Sequence, residues 1–73
     1  DLKKVEQGEE VLKKLGIPKV RIRVHQDIAR IEVEREYLNV IIQNQSIVEQ
    51  INELGFRYVT LDLNGLTSGS FDK

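Results

Sequence analysis

Val20-Arg-Ile-Arg-Val-His25, followed after Gln26-Asp27 by Ile28-Ala-Arg-Ile-Glu-Val33, is the stretch that decides the fold of this chain. Val20, Ile22 and Val24 alternate with Arg21, Arg23 and His25. A period of two gives a strand one apolar face and, here, one cationic face. The second run repeats the pattern, with Ala29, Ile31 and Val33 set against Arg30, Glu32 and Glu34. A two-residue turn at Gln26-Asp27 puts Val24 opposite Ala29, Ile22 opposite Ile31 and Arg21 opposite Glu32. It also sets Arg23 against Arg30, and like charges directly opposed destabilise a sheet. A bound anion between them removes that cost, so the spacing hints at a phosphate or carboxylate site. The same pattern arises when the outer face of an antiparallel sheet simply meets water. Glu32, Glu34 and Asp27 nearly balance the three arginines, and on the residues alone both readings stand.

Working outward, residues 2 to 15 have the spacing of an amphipathic helix, with Leu2, Val5, Gly8, Val11, Leu12 and Leu15 on one side. Lys13 and Lys14 suit the negative end of its dipole. Gly16 fits the position just past the helix, and Pro18 forbids continuation. The strands are expected over 19–25 and 28–34. Residues 36 to 54 are mostly helical in pattern. Ser46-Ile-Val-Glu49 has the form of a capping box, opening a helix with Ile47, Val48, Ile51 and Leu54 on its inner side and Gly55 after its end. Tyr37 to Gln43 fits either a preceding helix or a short strand, and Asn44-Gln45 marks a break. Phe56 to Leu63 is expected as the last strand, with Val59, Leu61 and Leu63 on one face and Phe56, Tyr58, Thr60 and Asp62 on the other. Residues 64 to 73 are expected to be loose at their end.

The order α-β-β-α-β, with one apolar sheet face and two helices to cover it, specifies an α+β fold: a two-layer sandwich with a small three-stranded sheet. The simplest arrangement sets the third strand beside the first and antiparallel to it, with the arginine strand in the middle.

The chain has 73 residues, enough for one small domain, and such a domain buries only about 60% of the surface its unfolded chain exposes. It has no cysteine and one histidine. That excludes disulfides, cysteine nucleophiles and multi-histidine metal sites within the segment, and leaves a carboxylate Mg²⁺ or Ca²⁺ site as the metal option. Its net charge of −1 provides no global basic footprint for nucleic acid, and two Phe and two Tyr offer little for base stacking. No apolar run approaches the roughly 20 residues a membrane span needs. No signal peptide is present, so a cytoplasmic location is expected. The chain begins at Asp1 without methionine and is expected to be a piece of something longer.

Leu15 to Glu32, with its V-R-x-R-x-H-x-D-x-A-R-I-E string, resembles the C-terminal domain of the LarE family. So does Glu53 to Leu63, with L-G-x-x-Y-V-T-L-D-L and the following Gly65 and Ser68-Gly69. These are ATP-dependent sacrificial sulfur transferases of the PP-loop, or adenine nucleotide α-hydrolase-like, superfamily. The resemblance covers nearly the whole chain, residues 1–73. It implies a C-terminal substrate-binding and oligomerisation part of a longer enzyme that serves nickel-pincer cofactor synthesis. Family enzymes adenylate a carboxylate of pyridinium-3,5-biscarboxylic acid mononucleotide with ATP and then insert sulfur. Some members take that sulfur from their own cysteine, and members assemble as hexamers. The implied partners are thus the pyridinium mononucleotide, an N-terminal PP-loop domain that binds ATP and Mg²⁺, and further copies of the chain.

By position, Arg21 and Arg23 match the family's arginine pair for the substrate phosphate. Arginine's planar donor fork suits that task, and Arg30, opposite Arg23, is a third candidate contact. Glu9 and Glu32 match family glutamates implicated in binding a divalent metal. A third acid of that group, expected near position 40, has no counterpart in Asn39-Val40-Ile41, and Thr67 stands where the family usually has arginine. The ATP-pyrophosphatase signature Ser-Gly-Gly-x-Asp-Ser and the sacrificial cysteine are both absent from these residues, so this piece by itself is expected neither to hydrolyse ATP nor to transfer sulfur. His25 is expected to be structural or solvated, Asp62 to be a hydrogen-bonding partner of the tail, and Gly65 and Gly69 to be turn residues. Two other functions fit the pattern: a stand-alone module that binds an anionic metabolite, and a purely structural assembly domain.

Overall fold

The computed structural model describes residues 2–66. Helix α1 (Leu2–Lys13) leads into strands β1 (Val20–His25) and β2 (Ile28–Val33). A 3-10 turn (Arg35–Tyr37), α2 (Leu38–Gln43), α3 (Ser46–Glu53) and β3 (Tyr58–Leu61) follow. The α+β sandwich expected from the sequence is present, and Tyr37 to Gln43 resolves as helical. The hairpin has the expected register: Arg21 opposite Glu32, Ile22 opposite Ile31, Arg23 opposite Arg30 and Val24 opposite Ala29. Gln26 takes φ 59° to close the two-residue turn, as the first turn position of a tight hairpin requires.

The strand order differs from the expectation. It is β1-β2-β3, with β3 parallel to β2, so the central strand is β2 and the arginine strand β1 lies at an edge. A parallel neighbour needs a crossover of a dozen or more residues, and the segment containing α2 and α3 supplies it. The start of β3 is anchored on the hairpin turn, where the Arg57 and Tyr58 N–H groups both donate to the Asp27 carbonyl (2.8 and 3.3 Å).

Eleven apolar side chains form the core among the described residues, and no polar side chain is buried with them. Val20, Ile22, Ala29, Ile31 and Val33 line the inner sheet face, covered by Leu12 of α1 and by Ile47 and Ile51 of α3, with Ile17, Ile41 and Phe56 closing the periphery. Gly8 is buried in α1. A Cβ there would come 2.6 Å from Ile22 Cδ1, so the missing side chain is what lets the helix lie close to β1.

Three local expectations are corrected. Val48 is 38% exposed rather than core; it sits one residue, or about 100°, round α3 from the Ile47/Ile51 stripe. Phe56 precedes β3 and is buried, and Leu63 follows β3 and is 73% exposed. The shorter strand therefore takes neither into its alternation. The capping box does not form: Gln45 is already helical (φ −63°, ψ −21°) and Ser46 makes no capping bond. The Ile47 and Val48 N–H groups donate instead to the Asn44 and Gln45 carbonyls, each at 3.0 Å. Ser46 thus lies inside a turn that the backbone has already closed, without the extended geometry an N-cap residue takes.

Candidate anion site

The outer face of the sheet carries the side chains singled out above. Alternation sends Arg21, Arg23 and His25 of β1, and Arg30 and Glu32 of β2, to the face opposite the core. Register then decides who meets whom. Arg23 and Arg30 are directly opposed, and the carboxylate between them belongs to the protein. Glu32 accepts a hydrogen bond from Arg23 Nε at Oε1 (3.2 Å), and its Oε2 pairs with Arg30 Nη2 at 3.3 Å. The like-charge conflict expected from the spacing is thus relieved from within. Glu32 leaves its register partner Arg21 and turns diagonally, because one carboxylate there serves two guanidinium groups instead of one. Its side chain is only 12% exposed, against 49% for Arg23.

Arg21 is exposed, and among the described residues it has neither a hydrogen-bond nor an ion-pair partner. It lies two residues from Arg23 on the same strand face, a spacing of about 7 Å. Arg23 uses Nε for Glu32, so no partner of the described residues engages its two terminal nitrogens. Arg30 Nε is buried without a hydrogen-bond partner, and Asp62 Oδ2 lies 4.0 Å from it. A shallow cleft of about 850 Å³ takes in Arg23, His25, Arg30, Glu32 and Asp62 and runs on to Leu2 and Val5 of α1.

Asp62 is held by the segment that leaves β3. Its N–H donates to the Ile31 carbonyl (2.9 Å), and its Oδ1 accepts from the Asn64 N–H (2.9 Å). The chain then turns at Gly65 and returns to β2 through the Leu66 N–H and the Val33 carbonyl (2.7 Å). The expected roles of Asp62 and Gly65 are therefore observed, and His25 is exposed at the strand end. Thr67, Ser68 and Gly69 lie outside the described residues.

The two candidate metal ligands are not brought together as a metal centre. Glu9 Oε2 accepts the Ile22 N–H at 3.2 Å. That N–H points outward from the free edge of β1, so Glu9 satisfies an edge-strand donor and ties α1 to the sheet. Glu32 is engaged by two arginines. Among the described residues no three His, Asp or Glu side chains gather in a way that could hold a metal ion. Nothing in the pattern of the sequence marks Glu9 for its edge-strand role, because it depends on where α1 crosses β1.

The Tyr37 hydroxyl is raised above its ordinary 10.0, first by burial and then by the carboxylates of Glu36 and Glu34. Among the described residues no helix is long and apolar enough to cross a membrane.

No family model matches the chain. It is 46% identical over 70 residues to the pyridinium-3,5-bisthiocarboxylic acid mononucleotide synthase of Lactiplantibacillus plantarum, a match covering 94% of the chain and 25% of that protein. Over 75 residues it is 39% identical to an uncharacterized protein of Synechocystis, covering 99% of the chain and 28% of the relative. An uncharacterized protein of Methanocaldococcus jannaschii is 32% identical over 63 residues, covering 86% of the chain and 25% of the relative. The chain thus spans about a quarter of the length of these curated relatives.

Proposed function

We propose that this chain is the substrate-presenting and assembly part of a LarE-like, ATP-dependent sulfur transferase that acts on a pyridinium mononucleotide. The observation that carries the reading is the 46% identity, along 94% of the chain, to a synthase whose named product is a thiocarboxylated pyridinium mononucleotide. The geometry supports a specific division of labour. Arg21, together with the terminal nitrogens of Arg23, receives the nucleotide phosphate, and Arg30 and Glu32 form the charged floor beside them. Fixing a remote phosphate turns the pyridinium carboxylates toward ATP, which belongs with Mg²⁺ to a PP-loop domain of the same protein. Binding energy spent away from the reacting group in this way buys orientation at the reacting group.

Glu9 and Glu32 have other partners and do not by themselves fit a metal. In this reading the enzyme works in the cytoplasm as a homo-oligomer.

Arg23→Ala in the whole protein tests the reading. Sulfuration of pyridinium-3,5-biscarboxylic acid mononucleotide should slow by about ten-fold or more at low substrate, the loss of one charge-assisted phosphate contact, with the fold retained. Wild-type kinetics in that variant would sink the phosphate role. The structural-assembly reading draws on the internal pairing of Arg23 and Arg30 with Glu32. It predicts instead that Arg21→Glu changes the oligomer and leaves substrate affinity alone.

A further inference from the structure

We propose that the free edge of β3 is where two copies of this chain pair, antiparallel about a two-fold axis at Thr60, into one continuous sheet. This names the surface used in the assembly proposed above and rests on that part of the reading, not on the phosphate role.

The sheet has two free edges, β1 and β3, and they are built differently. At β1 the outward Ile22 N–H is taken by Glu9 Oε2 at 3.2 Å, and Lys19, Arg21 and Arg23 place charge along the edge. Covering an edge and charging it are both ways in which proteins prevent strand addition. β3, Tyr58-Val-Thr-Leu61, has neither. It contains no charge, no proline and no glycine, and three of its four residues favour strands. Its register with β2 is unbroken, so no bulge twists it away. The Tyr58 and Asp62 N–H groups donate to the Asp27 and Ile31 carbonyls (3.3 and 2.9 Å). By the alternation of a parallel ladder, the N–H and C=O groups of Val59 and Leu61 then point away from β2.

The edge complements itself, and that argues for a second copy as the occupant. A two-fold interface requires the same patch to match on both sides. Antiparallel pairing centred on Thr60 sets Val59 opposite Leu61 of the second copy, and Leu61 opposite its Val59. All the outward backbone groups of these residues then bond, the pattern of an antiparallel ladder. Val59 and Leu61, which pack against the core, continue the apolar inner face from one copy to the next. On the outer face, Thr60 meets Thr60 of the second copy, and Tyr58, 53% exposed, meets its Asp62. Threonine pairs stabilise a sheet, a tyrosine hydroxyl can donate to a carboxylate, and no like charges are opposed.

The test is Thr60→Cys in the whole protein. Thr60 is exposed, and in this register the two copies of residue 60 form a non-hydrogen-bonded pair with Cα atoms about 4.5 Å apart, within disulfide reach. Oxidation with copper phenanthroline should link the variant into a covalent dimer on a non-reducing gel, about five-fold or more above wild type and above Glu49→Cys, exposed on α3. Light scattering on the unoxidised wild type is read beside it. An assembled protein in which Thr60→Cys links no better than Glu49→Cys overturns the β3 pairing and leaves assembly through another surface standing. A monomeric wild type overturns both, and neither result touches the phosphate role. If Thr60→Cys fails to fold, Thr60→Lys decides. It opposes two like charges at the axis and should weaken the assembly by about ten-fold or more; unchanged assembly overturns the proposal.

Discussion

Gly65→Ala is the perturbation whose cost can be worked most directly from the structure. Gly65 is buried at φ 77°, between Asn64, whose carbonyl accepts from Arg35 Nε, and Leu66, whose N–H donates to the Val33 carbonyl. An L-residue in that left-handed region costs about 1–2 kcal/mol. The added Cβ would also lie 2.9 Å from Arg35 Cγ, 3.1 Å from the Val33 carbonyl oxygen and 3.3 Å from Arg35 N. The Arg35 side chain can swing aside, but the other two atoms are backbone at the end of β2 and cannot move without disturbing the sheet. That overpacking adds about 1 kcal/mol or more, against a gain of about 0.4–1 kcal/mol from a less flexible unfolded chain. The expected net loss is about 2 kcal/mol. A domain of this size has about 4–11 kcal/mol in total, so the melting temperature should fall by about 8–16 °C. Thermal unfolding followed by circular dichroism measures it. Gly16→Ala is the control, since Gly16 has φ 90° with nothing within 4 Å of an added Cβ. It should carry the backbone cost alone. Equal losses for the two variants, or a Gly65→Ala loss under about 0.5 kcal/mol, would refute the contact argument.

Two other variants probe how the site is supported. Glu9→Ala leaves the Ile22 N–H without its carboxylate acceptor and should cost about 1–2 kcal/mol in urea unfolding; a neutral result would mean that water serves that edge donor equally well. Gln26→Gly removes a non-glycine residue from φ 59° and should stabilise the hairpin by about 0.5–1 kcal/mol, visible as a higher urea midpoint at unchanged slope.

The hairpin register was legible because two constraints coincide. A two-residue turn fixes which residues face each other, and period-two alternation fixes the faces, so a slip by one residue would have put either Val20 and Ile22 or Ala29 and Ile31 outside. Strand order was not legible. Val59 and Leu61 show only that β3 has an inner face, and that pattern is the same beside β1 or beside β2. The choice is made by the crossover through α2 and α3 and by the Asp27 carbonyl that receives the start of β3. Ser46 and Glu49 had the right spacing for a cap, yet the backbone is already helical at Gln45, so the serine falls one residue too late to have a cap's extended geometry. In the site, the opposition of Arg23 and Arg30 followed from register alone. The position of Glu32 did not, because a side chain with three cations in reach is placed by electrostatics across two strands and not by its register partner.

Arg21 is the arginine left free for a ligand, and Arg21→Ala tests its phosphate role most directly. Ribose 5-phosphate affinity and thermal stability should be measured together on the wild-type and variant proteins. Because Arg21 is exposed and has no partner among the described residues, its truncation should change stability by less than about 0.5 kcal/mol. Loss of a charge-assisted phosphate contact, about 1.5–3 kcal/mol, should weaken binding by ten-fold or more. A variant that binds the phosphomonoester as tightly as wild type, with the same stability, would contradict the assignment of this face to phosphate.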